Sequence, residues 1–355
     1  MRRPCARVLV WGLLVCAPVL ARAAEVRDNL YGVKALSATD AWAAGNFGTL
    51  YRTADGGKSW TLAESGTKLP LFGIDFADQT VGWAVGKSGV IVGTTDGGKR
   101  WKLQASPIPP DKHLFKVEAI DARTAWAVGD WGAIAFTNDG GVTWQDRSLG
   151  KLTVTPAPAI DGQPPLPVSE DTILYGVSFP DQQHGFIAGE FGTVLATDDG
   201  GATWRQIRVP TEKTLFGLHF ATPLEGWAVG IDGLVLHTTD GGQRWDVQRG
   251  HPEAAAVDDI SFVESMQNPG MYAVRVEGRN GVIVGDVGMV LVSTDGGRSW
   301  QRRELPDRDQ LVWMRDISFA PGAGGFLVGA GGFAARVQDG AVTVPATGKA
   351  AVPAS

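Results

Sequence analysis

Cysteine is nearly missing from this chain: the 355 residues hold 2, Cys5 and Cys16, both close to the N-terminus. That excludes a disulfide framework and a thiolate metal site from the rest of the chain. Histidine and tyrosine are scarce too, at 5 and 4 residues. Beyond the first two dozen positions no apolar run approaches the ~18 residues of a membrane-spanning helix. No G-X-Y period is present, which excludes a collagen-like rod. Against these gaps stand 48 glycines and 13 tryptophans, with 44% apolar residues. Glycine at about twice its usual share excludes a helical bundle or coiled coil. The apolar content excludes disorder, because such a chain can bury a core. A turn-rich, all-β protein remains.

The N-terminus reads as a secretory leader, residues 1–23. Arg2, Arg3 and Arg7 form a basic start, Val8 to Leu20 is apolar, and Ala21-Arg22-Ala23 supplies a cleavage site. Export to a bacterial periplasm is the expected address, and both cysteines leave with the leader. The leader carries four arginines and no acid, so 28 basic residues then face 38 acidic ones, and the formal charge moves from −6 to −10. So acidic a protein is a poor candidate for nucleic acid.

The glycines and tryptophans fall in register. Six copies of one phrase close on Trp60, Trp101, Trp144, Trp204, Trp245 and Trp300, and each opens on an aspartate followed by two glycines: Asp55, Asp96, Asp139, Asp199, Asp240 and Asp295. Eighteen residues before each tryptophan stands a bulky anchor (Trp42, Trp83, Trp126, Phe186, Trp227, Val282), and three residues after the anchor a G-x-x-G begins. A seventh, worn copy runs from Phe326 through Gly329 to Asp339-Gly340, with Val344 in place of the tryptophan. Each copy reads as four short strands, with the G-x-x-G as the hairpin between the second and third. Seven such units describe a seven-bladed β-propeller of four-stranded antiparallel blades spanning residues 24–344. The aspartate turns are expected to be structural, their carboxylates accepting backbone N–H groups. No D-x-D-x-D-G series points to calcium.

Departures from the period mark appendages. A proline-rich stretch, 148–172, lies between blades three and four and should overhang the G-x-x-G face. Extra residues at 264–280 are expected between the first two strands of blade six, on the opposite face. Thr343-Val344-Pro345 is the expected fourth strand of blade seven, Val26 to Leu30 is a candidate to help close the ring, and 345–355 reads as a frayed tail.

The aspartate phrase matches the Asp-box, or bacterial neuraminidase repeat. Together, Trp83-Ala-Val-Gly-Lys-Ser-Gly89 and Thr94-Thr-Asp-Gly-Gly-Lys-Arg-Trp101 resemble the photosystem II assembly and stability factor family of exported seven-bladed propellers. The resemblance covers about residues 30–344. It implies a non-catalytic scaffold that binds a membrane protein complex or one of its subunits, partly through an arginine-rich surface. Peripheral membrane association is compatible with that role, and nothing argues for a homo-oligomer. Arg205, Arg208, Arg244 and Arg249 are the arginines that cluster on the outer strands of blades four and five. The alternatives are a sialidase-like, glycan-active hydrolase and a ligand-binding accessory of an export system.

Catalysis would need converging acids, and Asp130, Glu190, Asp232 and Asp286 stand on the hairpin tips. No sialidase Phe-Arg-Ile-Pro phrase occurs. Tyr31 and Tyr175 share a first-strand position with Phe72, Phe115 and Phe216, which predicts core packing for them. No metal or cofactor is expected, although His219 and His237 occupy strands of one blade and could approach. Lys34, Asp75, Glu118, Ser178, His219, Ser261 and Ser318 should form a polar ring about the axis. Phe47, Trp131 and Phe191, aromatics on hairpin tips that need none, are the candidate partner-docking residues.

Overall fold

A computed structural model describes residues 24–159, 167–250, 268–320, 322–345 and 351–352. Seven four-stranded antiparallel sheets stand around an axis. Blade two shows the unit: Leu71–Phe76 on the axis, then Gly82–Gly86, Ile91–Thr94 and Lys102–Gln104 outward. The axial strands of the other blades are Leu30–Ala35, Leu114–Ala119, Leu174–Ser178, Leu215–Phe220, Met271–Glu277 and Met314–Phe319. Each packs on the next, and the last returns to the first, so the ring closes.

The two repeated anchors meet across the blade interfaces. Trp101 of blade two packs edge-on to Trp42 of blade one at 5.5 Å between ring centroids, Trp144 meets Trp83 at 6.3 Å, and Trp204 meets Trp126 at 5.7 Å. The second glycine of the turn completes this contact. A Cβ on Gly98 would fall 2.1 Å from the Trp42 ring, and its φ is +80°. The period of the sequence is thus the period of the inter-blade joint.

Each aspartate binds its own turn. Asp199 accepts the Thr203 N–H at 2.9 Å and hydroxyl at 2.7 Å, together with the Thr197 hydroxyl at 2.7 Å. Those bonds, the Thr203 hydroxyl first, hold its carboxyl at about 2.

Three expectations need correction or completion. The extra residues of blade six are not between its first two strands, because only Gly278-Arg279 separates Met271–Glu277 from Asn280–Gly285. They fall before the axial strand, between blades five and six. Asp258-Asp-Ile-Ser-Phe262 imitates the axial phrase, but Met271 and Tyr272 occupy that place; residues 251–267 lie outside the described residues.

Blade seven takes Ala341–Thr343 as its fourth strand, not Thr343–Pro345. Asp339 and Gly340 both have positive φ, 49° and 75°, which makes a two-residue hairpin and starts the strand early. The proline-rich stretch gives a turn at Leu149–Lys151 and a short strand, Val154–Thr155, parallel to the outer strand of blade four. Its ends lie on the blade-three hairpin, where the Gly132 N–H donates to the Thr172 carbonyl at 2.8 Å. Residues 160–166 lie outside the described residues.

At the seam between blades seven and one, Val26 is buried and the Gly331 N–H donates to Asn29 Oδ1 at 2.9 Å. Arg336 lies 4.3 Å over the Phe326 ring and donates to the Ala38 carbonyl. Ala24–Glu25 pairs antiparallel with Ala351–Val352.

Candidate binding site at the channel mouth

Every axial strand carries a bulge at its second residue. The register skips from Leu30 to Gly32, Leu71 to Gly73, Leu114 to Lys116, Leu174 to Gly176, Leu215 to Gly217, Met271 to Ala273 and Met314 to Asp316. A bulged residue leaves the ladder and its side chain is re-aimed. Here it turns to the axis on the G-x-x-G face. The core packing expected of Tyr31 and Tyr175 is therefore replaced by a lining role.

The residues so turned are aromatic in six blades and form an annulus. Tyr31 meets Phe72 at 5.4 Å, Phe72 meets Phe115 at 5.8 Å, and Phe115 stacks on Tyr175 at 5.6 Å. Tyr175 meets Phe216 at 5.2 Å and Phe216 meets Tyr272 at 5.3 Å. Blade seven closes the circle differently: Arg315 lies 4.1 Å over Tyr272, while the preceding Trp313 stacks on Tyr31 at 5.6 Å. Two hydroxyls are fixed from the rim, Tyr31 by Asn46 at 3.0 Å and Tyr272 by Asp286 at 2.5 Å. Burial, with the Asp286 bond second, pushes the Tyr272 hydroxyl up to about 12. The mouth encloses about 370 Å³.

Below the rings the channel turns polar. The third residue of the axial strand is small in five blades, since the neighbouring backbone is close: a Cβ on Gly217 would meet the Tyr272 carbonyl at 2.6 Å. Blades three and seven depart from this with Lys116 and Asp316, and these two meet across the channel at 2.8 Å. Asp316 also accepts the Val33 N–H at 3.0 Å. Glu118 and Arg275 line this mouth and the opposite one. Burial first, then the Asp75 carboxylate, pushes the Glu118 carboxyl up.

The polar ring serves in large part to stitch blades. Lys34 pairs with Asp75 at 2.5 Å, and Asp75 accepts the Ala119 N–H at 2.8 Å. Ser178 accepts from Phe220 and Ser318 from Ala35. His219 meets the Val276 carbonyl at 2.8 Å and Arg275 at 2.9 Å; burial, then the Arg275 charge, lowers its pKa to about 3. The sixth member is Arg275 and not Ser261, which lies outside the described residues.

His219 and His237 form no joint site. Trp227 pairs in register with both, and His237 stacks on it at 4.8 Å. Among the described residues no group of three His, Cys, Asp or Glu could hold a metal ion.

The tip acids are engaged locally. Asp130 accepts the His113 N–H at 3.1 Å, Glu190 the Ile173 N–H at 3.2 Å, and Asp232 pairs with Lys213 at 2.9 Å. Phe47, Trp131 and Phe191 are exposed at 68%, 47% and 61%, each at positive φ on its hairpin tip. They share the face that bears the annulus. The four arginines do not converge. Arg205 pairs with Asp198 and Arg244 with Asp240 beside the aspartate turns, whereas the Arg249 guanidinium lies against Gly233 on the hairpin face. Arg208 follows the outer strand of blade four.

The family model described as Photosynthesis system II assembly factor YCF48 matches residues 64–159, 163–247 and 202–311. The chain belongs to this family. Among solved structures it is similar to a member recorded as YCF48 bound to D1 peptide, with 19% identity, TM-score 0.63, and coverage of 89% of this chain and 95% of that one. It is similar also to YCF48 from Cyanidioschyzon merolae, with 21% identity, TM-score 0.62, and coverage of 90% and 99%. A xyloglucanase of Xanthomonas campestris gives 16% identity and TM-score 0.65, covering 89% of this chain and 53% of the enzyme. At such identities these structures speak for the fold. No curated protein matches.

The annulus was the feature sequence reasoning missed. Its signal was present as an aromatic recurring directly after the first apolar residue of six of the seven axial strands. The bulge that decides its direction leaves no separate mark in the residues.

Proposed function

We propose that the protein is an exported, non-catalytic assembly or stability factor that holds a segment of a membrane protein subunit at the hairpin-face mouth. The observation that carries this is the annulus: six partly exposed aromatic rings converge on one opening of a family whose member binds a D1 peptide. Rings held in place by bulges present apolar area at little cost in conformational entropy. Phe47, Trp131 and Phe191 extend that surface outward. The tip carboxylates, each engaged with the segment that opens its own blade, support a non-catalytic reading over a glycan hydrolase. The basic, apolar leader supports action from the periplasmic side of a membrane.

The test is affinity purification of the tagged protein from detergent-solubilised host membranes, followed by mass spectrometry. The wild type is expected to hold a membrane subunit that Tyr175→Ala/Phe216→Ala loses and that Arg244→Ala, on the opposite face, keeps. Retention of every partner by the double variant would overturn the reading, as would glycan turnover that disappears with Glu190→Gln.

A further inference from the structure

The mouth is a cup whose charged groups stand at and below the level of its rings, and among the described residues two of its guanidinium groups have no carboxylate of their own. Lys116, Arg275 and Arg315 bring three cations to its lining. Of the carboxylates there, Asp316 is occupied by Lys116 and the Val33 N–H, and Asp286 by the Tyr272 hydroxyl. Glu118 is raised by burial and the Asp75 carboxylate against the pull of Arg275, Lys34 and Lys116, which share it. Among the described residues neither Arg275 nor Arg315 is in an ion pair with a carboxylate: Arg275 meets His219, and Arg315 lies on the Tyr272 face.

A guanidinium stacked on a ring keeps donors at its edge for a planar anion. The six rings beside it lower the local dielectric and strengthen any such pair. The opposite mouth differs: there Lys34 is matched by Asp75, and among the described residues Phe76, Phe179 and Phe220 at its edge pack back against the inter-blade anchors.

We propose that the cup binds a hydrophobic carboxylate, an aromatic or branched apolar group bearing one negative charge, with the apolar body inside the annulus and the carboxylate on Arg315 and Arg275. Two sources share this chemistry: the C-terminal residue of a polypeptide and a free aromatic acid. The proposal rests on the hairpin-face mouth being the binding site.

Calorimetry on the purified full chain tests it with phenylpropionate, phenylpropanol and phenylpropylamine. The acid is expected to bind at least about tenfold tighter than the alcohol, as a charged hydrogen bond allows, and the amine not at all. Arg315→Gln should abolish that preference while the alcohol still binds and the thermal melt is unchanged. An acetylated trialanyl-phenylalanine with a free or an amidated C-terminus separates the sources. Binding of the free form alone identifies a polypeptide end, and binding of neither, with the small acid still bound, identifies a free acid.

Equal binding of acid and alcohol, no binding of either, or an undiminished preference in Arg315→Gln would overturn the proposal. If the acids fail while membrane-subunit capture succeeds, this inference falls and the assembly reading stands. If capture fails while the acid preference holds, the reverse is true.

Discussion

Lys116 and Asp316 sit 200 residues apart in sequence, on blades three and seven, and meet at 2.8 Å across the channel. Both replace the small residue that five other blades place there. A lysine alone would bring an unpaired charge into the channel, and an aspartate alone would leave a buried carboxylate. Together they form a strut between blades that are not neighbours in the ring.

Removing the acid should therefore cost more than neutralising it. Asp316 is 5% exposed and Lys116 28%, so solvent screens part of the pair. Asp316→Ala, which also orphans the Val33 N–H, is expected to cost ~2–3 kcal/mol. Asp316→Asn, which can still accept that bond, should cost ~1 kcal/mol. Urea unfolding of the two variants checks the order.

The aspartate turns set one pH window. Asp199 is held at about 2 against an ordinary 3.8, so the unfolded chain takes up protons first. The stability it contributes is present above pH 3.8 and is lost as pH falls toward 2. Asp199→Asn should be less stable than wild type at neutral pH, and the gap should shrink between pH 4 and 2. Denaturation midpoints across that range measure it.

His219 and Glu118 act in opposite directions. His219, at about 3 in place of 6.5, contributes stability that is present above pH 6.5 and falls as pH drops toward 3. Glu118 is raised, so its contribution is present below its ordinary 4.5 and is lost as pH rises through the folded value. Glu118→Gln should accordingly stabilise the protein at pH 8, and His219→Gln should flatten the fall between pH 6.5 and 4. Melting temperatures of the two variants against pH test both signs.

Backbone contact between blades yields a paired prediction. A Cβ on Gly217 would meet a carbonyl at 2.6 Å, whereas on Gly176 the nearest atom is a backbone nitrogen at 3.2 Å. Gly217→Ala is expected to cost ~2 kcal/mol and Gly176→Ala under ~1 kcal/mol. Thermal unfolding of the two variants compares them.

The hairpin tips and the annulus should separate in a binding assay. Phe47, Trp131 and Phe191 are exposed on their tips, apart from the cup lining. Trp131→Ala should weaken capture of a macromolecular partner and leave phenylpropionate binding unchanged, while Tyr175→Ala should weaken both. Calorimetry beside affinity capture distinguishes them.

Much of this architecture was legible before any coordinates. Aspartate, glycine pair and tryptophan at one spacing specify blade count, strand order and turn chemistry, because each is a local demand of backbone or anchor. The acidic balance and the scarcity of thiols are likewise properties of the residues alone. The failures share a cause. Asp258-Asp-Ile-Ser-Phe262 carries the pattern of an axial strand, yet pairing chose Met271–Glu277. Thr343-Val344-Pro345 keeps the period, yet two positive-φ residues started the strand at Ala341.

The repeated phrase, then, determined a ring of seven sheets, since short-range turns and anchors repeat whether or not their partners are known. Which residues line the hairpin-face mouth was decided only in the tertiary structure. One bulge per axial strand turned six rings from the core to the mouth and placed Arg315 among them. Closure of the ring then brought Lys116 to Asp316. Register and closure are relations between distant segments, and periodicity along one segment does not encode them.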